Sequence, residues 1–157
     1  MKLGMIGLGR MGGNMAERLI SGGHQIVAYD SDDSAVAALA EKGASAAQSL
    51  SDVVSQLDAP RTIWVMVPAG EITENTLNEL IEILDAGDTL IDGGNSNYKQ
   101  SIRRAEDAHQ NGIDFLDSGT SGGIWGLSNG YCLTIGCLLY TSPSPRDATL
   151  SRMPSSA

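Results

Sequence analysis

The stretch "IGLGRMGGNM", residues 6–15, places three glycines in the spacing Gly7-x-Gly9-x-x-Gly12. The apolar run Leu3–Ile6 before it predicts a strand, and Met11–Ser21 after it has the periodicity of a helix. In such a strand–turn–helix unit the first glycine permits the tight turn and the second lets the backbone approach a pyrophosphate. The third allows the helix to pack closely on the strand. The stretch therefore predicts a dinucleotide-binding turn, with a glycine turn that binds no cofactor as the alternative.

An acidic residue follows the second predicted strand, Gln25–Tyr29. This residue, Asp30, comes 18 positions after Gly12. A carboxylate at this place accepts hydrogen bonds from the adenosine ribose diol of NAD, and it repels the 2′-phosphate of NADP. The segment "YDSDDS" (29–34) adds Asp32 and Asp33 and contains no Arg. We therefore expect the cofactor to be NAD, with NADP the less favoured choice.

Apolar runs alternate with longer segments of helical periodicity along the chain, which is the pattern of βαβ units. The predicted helices are Met11–Ser21, Ser34–Lys42, Glu71–Leu84 and Tyr98–Asn111, the last of them a surface helix. The predicted strands are Leu3–Ile6, Gln25–Tyr29, Thr62–Val67, Thr89–Ile91, Ile113–Leu116 and Tyr131–Ile135. We therefore expect an α/β fold with a Rossmann-like, doubly wound and mostly parallel sheet.

The composition narrows the classes of partner. The chain has 157 residues, enough for one domain with its own core, and a formal net charge of −9. An acidic chain is not expected to take nucleic acid or an anionic membrane as its main partner, and no apolar stretch approaches the roughly 18 residues of a membrane span. Cys132 and Cys137 predict neither a disulfide framework nor a metal site. Because no signal-peptide pattern is present, we expect a cytoplasmic protein.

Small and polar residues follow the later predicted strands, where a parallel sheet binds its ligands. Asn95, within "DGGNSN" (92–97), is suited to bridge a nicotinamide and a hydroxylated substrate, or to cap the next helix in competition with Ser96 or Asn97. The segment "DSGTSGGIWGLSNG" (117–130) is long for a connecting turn. Its small residues suit an anionic, polyhydroxylated ligand, with a lid or a cluster of β-turns as the alternative. Trp125 is expected to anchor this loop by packing.

Four of these segments together, "IGLGRMG", "MVPAGEITE", "DGGNSN" and "TSGGIWGLSNGY", closely resemble the N-terminal coenzyme domain of decarboxylating 6-phosphogluconate dehydrogenases. The resemblance runs from Met1 to about Gly136, and Asp30 makes it most similar to the shorter, NAD-preferring branch. It implies a substrate site of Asn95, Ser121, Gly122 and Gly123. It implies a cofactor site of Gly7, Leu8, Gly9, Arg10, Met11, Gly12, Asp30, Val67, Pro68, Ala69 and Asn95.

The resemblance also implies a reaction, the oxidative decarboxylation of 6-phosphogluconate, a phosphorylated sugar acid, to ribulose 5-phosphate in the pentose phosphate pathway. Hydride leaves C3 for the nicotinamide while a base takes the hydroxyl proton, the resulting 3-keto acid loses CO₂, and an acid protonates the enediol. In the family the base is a Lys and the acid a Glu, on elements that follow this domain, and an all-helical second domain supplies the dimer contacts. We find neither these catalytic residues nor this second domain in the chain. We therefore expect a fragment of a homo-oligomeric enzyme that binds NAD but is inactive alone.

Residues 137–157 differ in composition from residues 1–136. They hold three of the five prolines and five serines, and they show neither strand alternation nor helical periodicity. We expect residues 1–136 to form the NAD-binding domain and residues 137–157 to be a tail foreign to the family, disordered or derived from an adapter sequence.

Two other functions are open alternatives. One is a dehydrogenase of the 3-hydroxyisobutyrate type, a group that usually has a Ser-Thr pair where this chain has Gly93-Gly94-Asn95-Ser96. The other is a non-catalytic dinucleotide-binding module, for which the substrate residues would be unnecessary.

Overall fold

One seven-stranded sheet organises the protein. The computed structural model describes residues 1–94 and 96–137, and within them the strands lie in the order β3-β2-β1-β4-β5-β6-β7. Neighbouring strands from β3 to β6 run parallel, and β7 runs antiparallel to β6, with Ser121 opposite Cys132. The strands are β1 (Lys2–Ile6), β2 (Gln25–Tyr29), β3 (Ser45–Ala46), β4 (Thr62–Val65), β5 (Thr89–Asp92), β6 (Asp114–Ser121) and β7 (Cys132–Cys137). The predicted doubly wound, mostly parallel sheet is confirmed.

Helices connect the strands and cover both faces of the sheet. They are α1 (Arg10–Ser21), α2 (Asp33–Ala40), α3 (Leu50–Ser55), α4 (Glu71–Ile83), α5 (Tyr98–Gln110) and α6 (Gly126–Asn129), with a short 3-10 helix at Gly123–Trp125. None of the described helices is long and apolar enough to cross a bilayer. Side-chain caps fix three of the starts, because Asp32, Ser49 and Asn97 accept hydrogen bonds from N–H groups in the first turns of α2, α3 and α5.

Two separate apolar clusters form the core, one on each face of the sheet. On one face Met5 and Ile26 pack with Met15 of α1 and Val36 of α2. The other face carries the larger cluster, in which Ile63, Val65 and Leu90 pack with residues of α3, α4 and α5, among them Val53, Leu77, Leu80 and Ala105. Burial of these side chains is the main favourable contribution to folding.

The structure departs from the predicted elements mainly after β2 and after β5. The short β3 and α3 were not predicted, because a two-residue exposed strand and a six-residue helix leave little periodicity in the sequence. Residues 117–121, predicted as loop, extend β6, and β4 ends at Val65 rather than Val67. The predicted tail lies outside the described residues from position 138 onward.

The predicted role of Trp125 is wrong, since this side chain is 68% exposed. Tyr131 packs there instead. A Cβ atom on Gly126 would lie 2.1 Å from the Tyr131 ring, so the glycine is needed for the ring to pack against this backbone. The aromatic residue that packs against this loop is therefore Tyr131, which follows the loop, and not Trp125 within it.

Candidate functional site

A cleft of about 420 Å³ opens at the carboxyl ends of β1, β4 and β5. β1 lies between β2 and β4, so the strand order reverses beside it, and dinucleotides bind at such a point in doubly wound sheets. The lining combines the glycine-rich turn with the segments that follow the later strands. It consists of Gly9, Arg10, Met11, Gly12, Met66, Val67, Pro68, Ala69, Gly93, Gly94 and Thr120.

The three glycines of the first turn meet different surroundings. Gly7 has φ +88°, and a Cβ there would lie 2.6 Å from the carbonyl oxygen of Met66. A Cβ on Gly12 would lie 2.0 Å from the carbonyl oxygen of Gly7, whereas a Cβ on Gly9 would meet nothing within 4 Å. Gly7 and Gly12 are thus required by the fold itself. Gly9 leaves open space in the cleft, and that space fits a pyrophosphate.

The start of α1 provides hydrogen-bond donors beside this space. Gly9 is the N-cap residue and offers no side chain, and the first turn carries no acidic residue. The N–H of Gly13 bonds to the carbonyl oxygen of Gly9, so the N–H groups of Arg10, Met11 and Gly12 have no partner within the helix. Together with the helix dipole they favour an anion.

Asp30, at the end of β2, is half-buried and holds the glycine-rich turn in place. Its Oδ2 accepts a hydrogen bond of 2.6 Å from the N–H of Leu8, and its Oδ1 accepts one of 2.9 Å from the N–H of Asp32. Asp30 also lines a second cavity of about 260 Å³ between the turn and α4. The carboxylate therefore lies where a ribose extending from the pyrophosphate along β2 would reach it.

The neighbouring Asp32 keeps this end of the cleft acidic. Hydrogen bonds from the hydroxyl and then the N–H of Ser34 lower the pKa of the Asp32 carboxyl. Like any aspartate with an ordinary or lowered pKa, Asp32 carries a negative charge at neutral pH, and this charge disfavours a second phosphate beside the ribose.

The opposite end of the cleft is formed by the segments after β4 and β5. Val67, Pro68 and Ala69 line it, and the buried hydroxyl of Thr73 donates a 2.8 Å hydrogen bond to the Pro68 carbonyl oxygen. Gly93 joins them, with its N–H bonded to the Val65 carbonyl oxygen at 2.8 Å. The sequence interpretation missed Met66, Gly93, Gly94 and Thr120 as lining residues, although Met66 lies within a predicted strand and the other three come after one.

The predicted substrate residues lie at the end of β6. Ser121 is the last residue of the strand, and Gly122 and Gly123 have φ values of +143° and +49°. Thr120, one residue earlier, lines the cleft, whereas Ser121, Gly122 and Gly123 follow it in sequence and are not among the lining residues. Asn95 lies outside the described residues. The alternative role predicted for Asn95 was to cap the next helix. That cap is formed by Asn97, whose Oδ1 accepts a hydrogen bond from the N–H of Lys99.

Residues 2–138 match the family described as the NAD binding domain of 6-phosphogluconate dehydrogenase. The chain belongs to this family. A decarboxylating, NAD⁺-dependent 6-phosphogluconate dehydrogenase of Haloferax volcanii is 46% identical over 136 residues, which are 87% of this chain and 44% of the relative. The chain thus spans less than half the length of that relative.

Solved structures support the fold of this NAD-binding domain. The 6-phosphogluconate dehydrogenase of Plasmodium falciparum superposes with a TM-score of 0.78 at 25% identity, over 87% of this chain and 30% of that one. The 3-hydroxyisobutyrate dehydrogenase of Mycobacterium tuberculosis gives 0.79 at 23% identity, over 86% of this chain and 46% of the other. At that identity the second likeness shows the shared fold alone.

Behind the cleft of this 6-phosphogluconate dehydrogenase-type domain lies a buried ionic cluster that the sequence did not predict. Arg104 of α5, expected on a surface helix, is 1% exposed, and Asp92 at the end of β5 is fully buried. The guanidinium donates to Asp92 Oδ2 at 3.1 Å, to Ser96 Oγ at 2.9 Å and to Glu74 Oε2 at 2.9 Å. Glu74 also pairs with the more exposed Arg103. One charged side chain of α5, a helix predicted to lie on the surface, is thus buried.

Proposed function

We propose that this chain is the NAD-binding part of an NAD-dependent, decarboxylating 6-phosphogluconate dehydrogenase. The observation that carries the proposal is the open space beside Gly9, faced by the N–H groups that start α1. A dinucleotide whose pyrophosphate lies there extends along β2 to Asp30 on one side and over the ends of β4 and β5 on the other.

The choice of NAD over NADP rests on the charges around the adenosine ribose. Asp30 and Asp32 are acidic, and no Lys or Arg follows Asp30 before Lys42. A 2′-phosphate would meet two carboxylates and no cation from this segment. The NAD⁺-dependence in the name of the Haloferax relative points the same way.

A phosphorylated sugar acid is the substrate that the end of β6 suits. Ser121 offers a hydroxyl, and Gly122 and Gly123 carry backbone N–H groups and no side chains of their own. Asn95 adds an amide able to donate and to accept, which a hydroxylated ligand beside a nicotinamide requires. These are the four substrate residues that the family resemblance implies.

In the proposed reaction the bound nicotinamide supplies the hydride acceptor, and the residues of this chain bind and orient the reactants. Among the described residues that line the cleft, none has a side chain that titrates near neutral pH. A base for the substrate hydroxyl is therefore not provided by the described part of the cleft. We assign the proton transfers to the part of the relatives that this chain does not span, and we expect the isolated chain to bind without turnover.

Calorimetric titration of the purified chain tests the proposal. NAD should bind, NADP should bind at least about tenfold more weakly, and 6-phosphogluconate should bind to the NAD complex while 3-hydroxyisobutyrate should not. Failure to bind any dinucleotide would overturn the proposal. Binding of NAD without either acid would favour a non-catalytic module, and binding of 3-hydroxyisobutyrate would favour the other dehydrogenase type.

A further inference from the structure

Arg104 occupies an unusual position for a charged side chain. It is the largest fully buried side chain of the described residues, at 1% exposure, and it lies behind the cleft rather than in it. Burying a guanidinium is costly unless it is paired and hydrogen-bonded, and replacing such a cluster by apolar residues often stabilises a fold. The cluster therefore calls for an explanation other than stability.

The cluster holds the turn that follows β5 through Asp92. One carboxylate oxygen of Asp92, Oδ1, accepts a 3.0 Å hydrogen bond from the N–H of Gly94. The other, Oδ2, accepts a 2.8 Å hydrogen bond from the Ser96 hydroxyl and the bond from Arg104. Both oxygens of one buried carboxylate are thus committed to the backbone and side chain of a single turn.

That turn forms one wall of the cleft. Gly93 and Gly94 line it, opposite the first turn of α1. Gly93 packs directly against two side chains, since a Cβ there would lie 2.2 Å from Nε1 of Trp64 and 2.3 Å from Sδ of Met66. The position of this wall is therefore held by the packing of Gly93 against Trp64 and Met66 and by the hydrogen bonds of Asp92.

We propose that Arg104 is a positioning residue that, through Asp92 and Ser96, sets the Gly93-Gly94 wall against the nicotinamide half of the dinucleotide. The inference rests on the proposed function, because it takes the ligand to be a dinucleotide. Arg104 reaches no ligand itself. Its guanidinium pairs with Oδ2 of Asp92, the oxygen that also accepts from the Ser96 hydroxyl, while Oδ1 accepts from the N–H of Gly94.

The position of the cluster predicts an effect on one half of the ligand only. Asp30 and the first turn of α1, which hold the adenosine and pyrophosphate, make no hydrogen bond to Arg104, Asp92 or Ser96 among the described residues. Loss of Arg104 should therefore weaken NAD, which carries the nicotinamide, and spare ADP-ribose, which lacks it. General destabilisation of the fold would weaken both.

The test is titration calorimetry of the full chain with NAD and with ADP-ribose. For Arg104→Gln we expect the Kd for NAD to rise about tenfold and the Kd for ADP-ribose to stay within about twofold. Arg103→Gln is the matched control, since it removes the same charge from the adjacent, more exposed position and should leave both constants unchanged.

A second variant keeps the test decisive if Arg104→Gln does not fold, which circular dichroism would show. Ser96→Ala leaves the Arg104–Asp92 pair intact and removes one hydroxyl, and it should raise the Kd for NAD about threefold without affecting ADP-ribose. Unchanged NAD binding in the folded variants, or equal losses for both ligands, would overturn the inference and leave the proposed function standing. If the unmodified chain binds neither ligand, it is the proposed function that fails.

Discussion

Two glycines of the same turn should respond in opposite ways to the same substitution. In Gly9→Ala the new methyl group enters open space, and the backbone at φ −57° and ψ −173° is accessible to alanine. We expect the free energy of unfolding to change by no more than about 1 kcal/mol. In Gly12→Ala the methyl group would lie 2.0 Å from the carbonyl oxygen of Gly7, where a normal carbon–oxygen contact is about 3.3 Å. The start of α1 must then shift by about an ångström.

The two variants therefore separate binding from folding. The Gly9 methyl group occupies the space assigned to the pyrophosphate and removes one charge-assisted hydrogen bond of about 1.5–3 kcal/mol. We expect the Kd for NAD to rise about 10- to 100-fold. Gly12→Ala should lose about 3 kcal/mol of stability or more, because the obstacle is backbone rather than a movable side chain.

Urea denaturation measures the stability of both variants, and calorimetric titration with NAD measures their affinity. If Gly9→Ala bound NAD as tightly as the unmodified chain, the pyrophosphate would not lie against the start of α1. If Gly12→Ala folded with unchanged stability, the close contact between α1 and the first turn would be refuted.

Three further predictions concern carboxylates. Asp30→Asn should weaken the binding of NAD and raise the NADP-to-NAD affinity ratio about tenfold, because the charge facing a 2′-phosphate is lost. Titration with both dinucleotides measures this ratio, and an unchanged ratio would contradict the prediction. Burial raises the pKa of Asp88, but hydrogen bonds from the N–H and guanidinium of Arg61 outweigh it and hold the pKa below its usual value. Asp88 therefore stabilises the fold at neutral pH, and this stabilisation is lost as the pH falls through its lowered pKa. In urea denaturation, Asp88→Asn should lower the free energy of unfolding by about 2–4 kcal/mol at pH 7 and by much less at pH 2. Burial, and then the nearby charge of Asp92, raise the pKa of Asp117, so its ionisation opposes folding above its usual pKa. Asp117→Asn should increase stability at pH 7 but not at pH 3, and a loss at pH 7 would refute this.

Many of the helices and strands can be predicted from short segments of the sequence. The boundaries of β2 were predicted without error, and those of α1, α4 and α5 to within one residue, because their periodicity and end signals lie within a few positions. The glycine spacing and Asp30 predict a dinucleotide turn for the same reason. Each of these residues has a conformational or chemical role that its near neighbours in sequence reveal.

The sheet order and the inner wall of the cleft were decided by tertiary structure. β7 turns back antiparallel beside β6, and no residue within it specifies that direction. Arg104 illustrates the same limit, since its helix reads as polar, yet α5 packs where Glu74 and Asp92, 30 and 12 positions away in sequence, can neutralise a buried guanidinium. By itself the sequence determined the family, the position of the glycine-rich turn and the acid beside it. Tertiary structure alone decided which charges are buried, because the cost of burying a charge depends on partners that only folding brings within hydrogen-bond distance.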